Sequence, residues 1–154
     1  MTVNVGDPAP SFSFDGDTGP INLTAMRGYA VVLYFYPKDD TSGCTSEAKA
    51  FTELHEAFLN AGATVVGVSR DDTRSHGKFR AKYGLTHLLG ADVDGAVTSA
   101  YGVWVEKSMY GRKYMGIERA TFLIDKAGKI ARVWRKVKVT GHAAEVLAAV
   151  KELG

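Results

Sequence analysis

The only cysteine in this 154-residue sequence lies where a predicted strand gives way to a predicted helix. Cys44 follows the turn at 37–43, PKDDTSG, and begins a helical pattern. The first turn of a helix presents backbone N–H groups without intrahelical partners, and these groups favour a thiolate. Thr41 could direct its hydroxyl toward the sulfur, or either Thr41 or Ser42 could be an ordinary N-cap. The segment therefore predicts a reactive sulfur at a helix start.

Forming a thiolate does not by itself make a fast reaction. A free cysteine with an ordinary pKa of about 8.5 is roughly 3% ionised at neutral pH, so complete ionisation gains at most ~30-fold. Nucleophilicity falls as the pKa falls, with a Brønsted coefficient of about 0.4 to 0.5, and this loss offsets most of the gain. A fast reaction at Cys44 therefore requires donors aimed at the electrophile as well as at the sulfur.

A buried strand and an amphipathic helix are predicted to position Cys44. The apolar run at 30–36, AVVLYFY, is typical of a strand buried on both faces of a parallel sheet, and Pro37 ends it. Helical spacing predicts one continuous helix with a core-facing stripe formed by Cys44, Ala48, Phe51, His55 and Phe58. Gly62 ends this helix, and 64–69 form a second buried strand. Strand, helix and strand together make a right-handed βαβ unit.

The remaining elements complete an α/β, thioredoxin-like order within a single predicted domain, residues 1–154. The predicted elements are an N-terminal strand or hairpin within 11–23, a helix at 74–83, a short strand at 88–91, a helix from Asp94 to Tyr101, a loop at 102–117, a hairpin of strands 120–124 and 129–138, and a helix from Ala143 to Leu153. This order predicts a central mixed sheet flanked by helices. It also predicts an N-terminal extension and an insertion before the third core strand.

Composition narrows the function classes. A single cysteine excludes an internal disulfide, and the sequence shows neither a signal peptide nor a membrane span, so a reducing cytoplasm is expected. The net charge is +2. Positive residues cluster only on the alternating strand pattern at 132–138, which indicates a solvated sheet face rather than a nucleic-acid surface. No set of residues has the spacing of a metal site, and no cofactor is expected.

The segment YFYPKDDTSGCT resembles the active-site signature of peroxiredoxins, Pro-x-x-x-Thr-x-x-Cys, which Pro37, Thr41 and Cys44 match. Further segments resemble the peroxiredoxin Q subfamily, also called bacterioferritin comigratory protein: residues 34–51, 101–104, 118–125 and 128–130. The likeness extends from Gly6 to the C-terminal helix. It implies the peroxiredoxin form of the thioredoxin-like fold and a thiol-dependent peroxidase for hydrogen peroxide and organic hydroperoxides, in a monomer or weak dimer.

The resemblance also implies roles for four residues. Cys44 would attack the peroxide O–O bond and become a sulfenic acid, and Thr41 would hydrogen-bond the sulfur and the peroxide. Arg119 would stabilise the thiolate and polarise the substrate, and Pro37 would shield the pocket. Composition alone does not distinguish Arg119 from a surface arginine at a strand start.

Two positions depart from the family pattern. Ser42 stands where many relatives have proline, and Lys49 stands where many have a resolving cysteine. An external thiol must therefore reduce the sulfenic acid: thioredoxin, glutaredoxin, glutathione or another small molecule. Lys49 is predicted to project opposite the Cys44 stripe, and with no cysteine there the helix is expected to stay folded through turnover.

Other thiol chemistries fit less well. A dithiol oxidoreductase needs a second cysteine, and a cysteine hydrolase needs a histidine base, for which no motif surrounds His55, His76, His87 or His142. The competing hypothesis is a redox sensor or holdase on the peroxiredoxin scaffold. It would signal through oxidation of Cys44 with little turnover, and the missing resolving cysteine motivates it.

Overall fold

The structure is a computed structural model that describes residues 3–153. Its strands are β1 (Ser13–Gly16), β2 (Gly19–Asn22), β3 (Ala30–Phe35), β4 (Ala63–Ser69), β5 (Leu88–Ala91), β6 (Trp104–Met109), β7 (Arg112–Ile117), β8 (Ala120–Ile124) and β9 (Ile130–Trp134). Seven of them form a mixed sheet in the order β2-β1-β5-β4-β3-β8-β9, and β6 and β7 form a separate hairpin. The predicted mixed central sheet is confirmed.

The helices are α1 (Ser42–Glu53), α2 (His55–Asn60), α3 (Thr73–Tyr83), α4 (Ala96–Ala100) and α5 (His142–Glu152), with a 3₁₀ turn at Thr24–Met26. Among residues 3–153 no helix is both long enough and apolar enough to cross a membrane. The helix predicted at 74–83 is confirmed as α3, which begins one residue earlier. The side chain of Asp72 caps its first turn, and Gly84 follows its last turn in the left-handed conformation.

Strand β3 lies at the centre of the core, as its apolar run predicts. All six of its residues are buried. It pairs parallel with β4 and antiparallel with β8. Its side chains alternate between two clusters: Tyr34 packs with the cluster under α1, α3 and α5, whereas Phe35 packs with the cluster on the opposite face.

The prediction of one continuous helix after Cys44 is wrong, because the helix is interrupted at Leu54 (φ −99°, ψ 4°) and divides into α1 and α2. The N–H of Phe58 still donates to the carbonyl of Leu54, so the helical phase continues and residue spacing cannot reveal the break. Beyond this interruption, α2 packs against β4. As a result Phe58 is buried, but His55 lies at the edge of the core rather than inside it.

The loop predicted at 102–117 is also wrong, since this segment forms the β6–β7 hairpin. Its turn residues, Tyr110 (φ 52°) and Gly111 (φ 77°), both have positive φ, as in a type I′ turn. Much of the hairpin is exposed, so its residues lack the apolar alternation that marks a half-buried strand. This hairpin is part of the insertion that precedes β8.

The strands at the two edges of the sheet lie close to the segments predicted for them. The N-terminal segment forms the β1–β2 hairpin, which extends the sheet by antiparallel pairing of β1 with β5. Strand β9 ends at Trp134, four residues earlier than predicted, and Lys136 beyond it has φ 48°. Positive φ at a non-glycine residue interrupts an extended strand.

Candidate active site

Cys44 is the third residue of α1, just beyond the carboxyl end of β3. The first intrahelical hydrogen bond runs from the N–H of Thr45 to the carbonyl of Thr41. The N–H groups of residues 42–44 therefore have no partner within the helix, and the positive end of the helix dipole lies at the cysteine. The residue is only 1% exposed. Access to the sulfur is therefore limited to small reactants unless the surroundings move.

Arg119 contacts this sulfur, with Nη2 3.3 Å from Sγ of Cys44. Sheet pairing brings the two residues together, because Phe35 at the end of β3 pairs with Ala120 at the start of β8. Gly43 leaves room for the guanidinium: a Cβ atom at that position would lie 3.2 Å from Nη2. The side chain of Arg119 is 17% exposed, so one edge of the cation remains open to solvent.

Glu47 also contacts Arg119, so the site holds a carboxyl group beside the Cys44 thiol. This residue was not predicted from the sequence. Nη1 of Arg119 donates to Oε1 of Glu47 at 2.7 Å, and the glutamate side chain is 1% exposed. Its other carboxyl oxygen, Oε2, is buried and has no hydrogen-bond partner among residues 3–153. The residue spacing could have indicated that Glu47 is buried, because it lies three residues after Cys44 and four before Phe51, on the core-facing stripe.

The charges of this cluster depend on one another. Burial raises the pKa of Glu47 to about 7, although the charge and the hydrogen bond of Arg119 act to lower it. Burial opposes the charge on Arg119, but Glu47 and the Cys44 sulfur more than offset this effect, and the pKa of Arg119 lies above its usual range. Arg119 therefore remains a cation, placed between two groups that can each become an anion.

Thr41 occupies the N-cap position of α1 with an extended backbone (φ −93°, ψ 155°). Its side chain makes no capping hydrogen bond. Its hydroxyl instead donates to the carbonyl of Lys38 at 2.9 Å, and among residues 3–153 it makes no hydrogen bond to the sulfur of Cys44, contrary to the contact that the resemblance implies. Because the hydroxyl proton is used in this way, the oxygen can take part in further hydrogen bonds only as an acceptor. A peroxide O–H group is a donor that such an oxygen could orient.

Buried polar contacts hold the loop that carries Thr41. The carboxylate of Asp39 accepts hydrogen bonds from Tyr36 (2.6 Å) and Ser75 (2.8 Å), and it pairs with Nδ1 of His76 (2.7 Å). Nε2 of His76 faces the carbonyl of Gly90 at 2.8 Å. Two acceptors around one ring favour the imidazolium form. Burial lowers the pKa of His76, but Asp39 outweighs that effect and the pKa is raised.

The next residue, Asp40, has a positive φ of 60°. Its carboxylate accepts hydrogen bonds from Lys82 and Tyr83 on α3. This pair of contacts fixes a backbone conformation that is uncommon for a non-glycine residue. Helix α3 therefore anchors both aspartates of the loop. The anchored loop in turn positions Thr41 and Cys44 at the start of α1.

Pro37 is exposed at the start of the same loop and forms part of a groove of about 470 Å³. The other lining residues come from the β6–β7 hairpin and from loops beyond β4 and β5: Arg70, Val93, Trp104, Lys107, Tyr114, Met115, Gly116 and Ile117. The lining combines apolar surface with two cationic side chains and contains no carboxylate. Burial and the positive charge of Arg119 both lower the pKa of Lys107.

The remaining histidines do not supply a base for the sulfur. His87 is paired with Tyr34 at 2.7 Å, and burial lowers its pKa to about 3. His142 is paired with Thr121 at 2.7 Å, and burial lowers its pKa to about 4. No hydrogen bond within the described part of the chain joins a histidine to Cys44. The geometry disfavours a cysteine hydrolase.

Comparison with known proteins gives consistent matches. The AhpC/TSA family matches residues 5–133. Peroxiredoxin Bcp of Bacillus subtilis is 46% identical over 154 residues, covering 99% of this chain and 98% of the relative. Among solved structures, a mutant of Xylella fastidiosa PrxQ is 40% identical, with a TM-score of 0.94 over 99% of this chain and 98% of that one. A Xanthomonas campestris bacterioferritin comigratory protein, from a study of its alkyl peroxide reduction activity, is 42% identical, with a TM-score of 0.91 over 97% of this chain and 99% of that one.

Proposed function

Because this chain belongs to the AhpC/TSA family and is a peroxiredoxin of the peroxiredoxin Q type, we propose that it reduces hydrogen peroxide and organic hydroperoxides through Cys44. The observation that carries the proposal is the position of the sulfur, in the first turn of α1 and 3.3 Å from Nη2 of Arg119. This arrangement supplies the electrophile-directed donor that thiolate formation alone cannot replace.

In the oxidation step the Cys44 thiolate attacks the terminal oxygen of the hydroperoxide. The sulfur electron pair forms the S–O bond as the O–O bond breaks, and the leaving oxygen gains a proton to become water or an alcohol. Arg119 stabilises the negative charge that develops on the oxygens. The acceptor oxygen of Thr41 orients the peroxide, and Pro37 borders the approach to the sulfur. The product is a Cys44 sulfenic acid, oxidised by two electrons.

Reduction requires a thiol from outside the chain, since the sequence has no second cysteine. The first thiol condenses with the sulfenic acid to give a mixed disulfide and water. A second thiol then displaces Cys44 as a thiol and leaves as the oxidised disulfide. Lys49, five residues after Cys44, is exposed and takes no part. We propose thioredoxin, glutaredoxin, glutathione or another small thiol as the donor, in a reducing cytoplasm.

The groove beside Pro37 supports organic hydroperoxides as substrates in addition to hydrogen peroxide. Trp104, Tyr114, Met115 and Ile117 offer apolar surface for an alkyl group. The relative from Xanthomonas campestris was studied for alkyl peroxide reduction, which agrees with this use. The subfamily likeness also favours a monomer or weak dimer, and sedimentation velocity tests that proposal.

Turnover distinguishes a peroxidase from a redox sensor. Peroxide consumption is measured with each reductant system in turn, with Cys44→Ser as the control. We expect many peroxides consumed per chain with at least one thiol donor and none with the Ser variant. Oxidation of Cys44 that stops after a single event with every donor would instead support the sensor hypothesis.

A further inference from the structure

Glu47 is a buried carboxyl group whose presence beside Cys44 the peroxidase reaction does not by itself explain. Oε1 accepts a hydrogen bond from Arg119, while Oε2 is buried without a partner. An ionised carboxylate is disfavoured in this environment, because half of its charge would be carried by a buried oxygen to which no group among residues 3–153 donates a hydrogen bond. A proton on Oε2 removes that charge and leaves the hydrogen bond at Oε1 in place.

Arg119 is the only salt-bridge partner of Glu47 within residues 3–153, and it also contacts Cys44. Tyr34 and His142, which also lie nearby, do not supply a second positive charge. Burial and the charge of Glu47 keep the pKa of Tyr34 well above its usual range, and burial keeps His142 neutral with a pKa of about 4. Lys107 is a further cation near Arg119 and Cys44, but among residues 3–153 it makes no ion pair. Arg119 is therefore the cation that contacts both Glu47 and Cys44, so a charge on either side chain changes the environment of the other.

We propose that Glu47 holds a proton while Cys44 is a thiolate and gives that proton up when Cys44 becomes a sulfenic acid. This inference rests on the proposed function. Arg119 is then matched by one anion at each stage, first by the sulfur and afterwards by the carboxylate. Glu47 acts through Arg119 and is a positioning residue, because it does not itself touch the peroxide.

The exchange balances in atoms and charge. Before the reaction the cluster holds a thiolate, a carboxylic acid and a guanidinium ion. The sulfur gains OH from the hydroperoxide, the leaving oxygen gains one proton, and Glu47 loses one proton. Afterwards the cluster holds a sulfenic acid, a carboxylate and the same guanidinium ion, and its net charge remains zero. A buried site favours a step that creates no net charge.

A consequence for rate follows from the sharing of Arg119. Once Glu47 ionises while Cys44 is still a thiolate, the guanidinium is divided between two anions and stabilises the transition state less. Burial raises the pKa of Glu47 to about 7 even without a charge on the sulfur, so a thiolate beside the shared guanidinium holds the proton to higher pH, and both groups become anions only above about pH 7. The rate constant per Cys44 thiolate should therefore decline as the pH rises beyond neutrality.

The first test is the pH profile of Cys44 oxidation by hydrogen peroxide, measured by stopped flow. We expect the wild-type rate constant, divided by the thiolate fraction read from ultraviolet absorbance at each pH, to fall severalfold as the pH rises beyond about 7. Glu47→Gln keeps an acceptor for Arg119 but cannot ionise, so its profile should stay level over the same range. Glu53→Gln, on an exposed position of the same helix, is the matched control and should keep the wild-type decline. A decline that persists in Glu47→Gln would overturn the proposal.

Infrared difference spectroscopy of the wild-type protein provides a second test that does not depend on the folding of a variant. Oxidation by hydrogen peroxide just above neutrality, where the thiolate still keeps Glu47 protonated, should remove a protonated-carboxyl band and add a carboxylate band, in wild type and in Glu53→Gln. A sample in which Cys44 is oxidised without any change of carboxyl bands refutes the role of Glu47 and leaves the peroxidase function intact. A sample in which peroxide leaves Cys44 unoxidised refutes the function itself.

Discussion

The guanidinium of Arg119 contacts the sulfur of Cys44, with Nη2 3.3 Å from Sγ, although 75 residues of chain separate them. The contact depends on the antiparallel pairing of β3 with β8, which brings the end of one strand beside the start of the other. A cation in this position can stabilise the thiolate and the charge that develops on the peroxide oxygens. The second effect is the larger contribution, because the gain from ionisation is mostly offset by lower nucleophilicity.

Replacing Arg119 with alanine should lower the rate constant for Cys44 oxidation by about 10²–10³-fold, the usual effect of losing one preorganised donor. The loss should exceed any change in thiolate content, which ultraviolet absorbance measures separately. Arg119→Lys keeps the positive charge but replaces the planar guanidinium and its paired N–H donors with an ammonium group, so it should give an intermediate rate. Wild-type kinetics in Arg119→Ala would remove this residue from the site.

Thr41 allows a test of peroxide orientation. Thr41→Val keeps the shape but removes the acceptor oxygen, and we expect a rate of peroxide oxidation about tenfold lower, equivalent to one hydrogen bond of about 1.4 kcal/mol. Thr41→Ser retains the oxygen and its bond to the Lys38 carbonyl, so its rate should stay close to wild type. Stopped-flow oxidation of both variants makes the comparison. Equal rates for valine and serine at this position would contradict the role of the hydroxyl.

The parts of the fold that could be predicted are those that local sequence determines. The apolar run before Pro37, and the caps of α3 at Asp72 and Gly84, each lie within a few residues of the element that they define. The break at Leu54 could not be predicted, because a turn that preserves helical phase leaves residue spacing unchanged. The β6–β7 hairpin could not be predicted either, since an exposed hairpin has no buried face to impose alternation.

The residues of the candidate site also differ in how far local sequence predicts them. Cys44 and Thr41 lie on one short segment, but spacing alone leaves Thr41 as either a site residue or an N-cap, and the family resemblance supplies its role. The resemblance also supplies Arg119, because only the pairing of β3 with β8 places it near the sulfur. Glu47 lies within the cysteine's own helical turn, but glutamate is so seldom buried that its position on the stripe does not by itself indicate a site residue.

The ionisation of Glu47 should appear in folding stability as well as in rate. Its pKa is raised from 4.5 to about 7 in the folded protein, so the native state binds more protons than the unfolded state between these values. Stability from this group is therefore complete below about pH 4.5, falls as the pH rises, and becomes constant above about 7. The total change is about 3 kcal/mol.

Urea unfolding of wild type and Glu47→Gln across this pH range isolates the contribution. The difference in free energy of unfolding between the two proteins should shift in favour of the glutamine variant as the pH rises, by about 3 kcal/mol in total. Glu53→Gln should show no such trend, because Glu53 is exposed. A constant difference between wild type and Glu47→Gln would show that the carboxyl titrates normally.

Helix α1 is expected to stay folded through turnover, since no cysteine at position 49 has to leave the helix to form a disulfide. Cys44 is buried, so an incoming thiol requires some movement, but only at the first turn. Hydrogen exchange read by mass spectrometry should show equal protection of residues 46–53 in the reduced and oxidised proteins. Loss of protection along that stretch upon oxidation would contradict the expectation.

The most direct measurement is rapid mixing of the reduced protein with equimolar hydrogen peroxide, followed by trapping with a sulfenic-acid-specific reagent and intact-mass analysis. We predict that each chain gains one trapping group, located at Cys44, as one peroxide is consumed, and that Cys44→Ser gains none. Peroxide left unconsumed by the wild-type protein, or consumed equally fast by Cys44→Ser, would show that this sulfur is not the reactive centre.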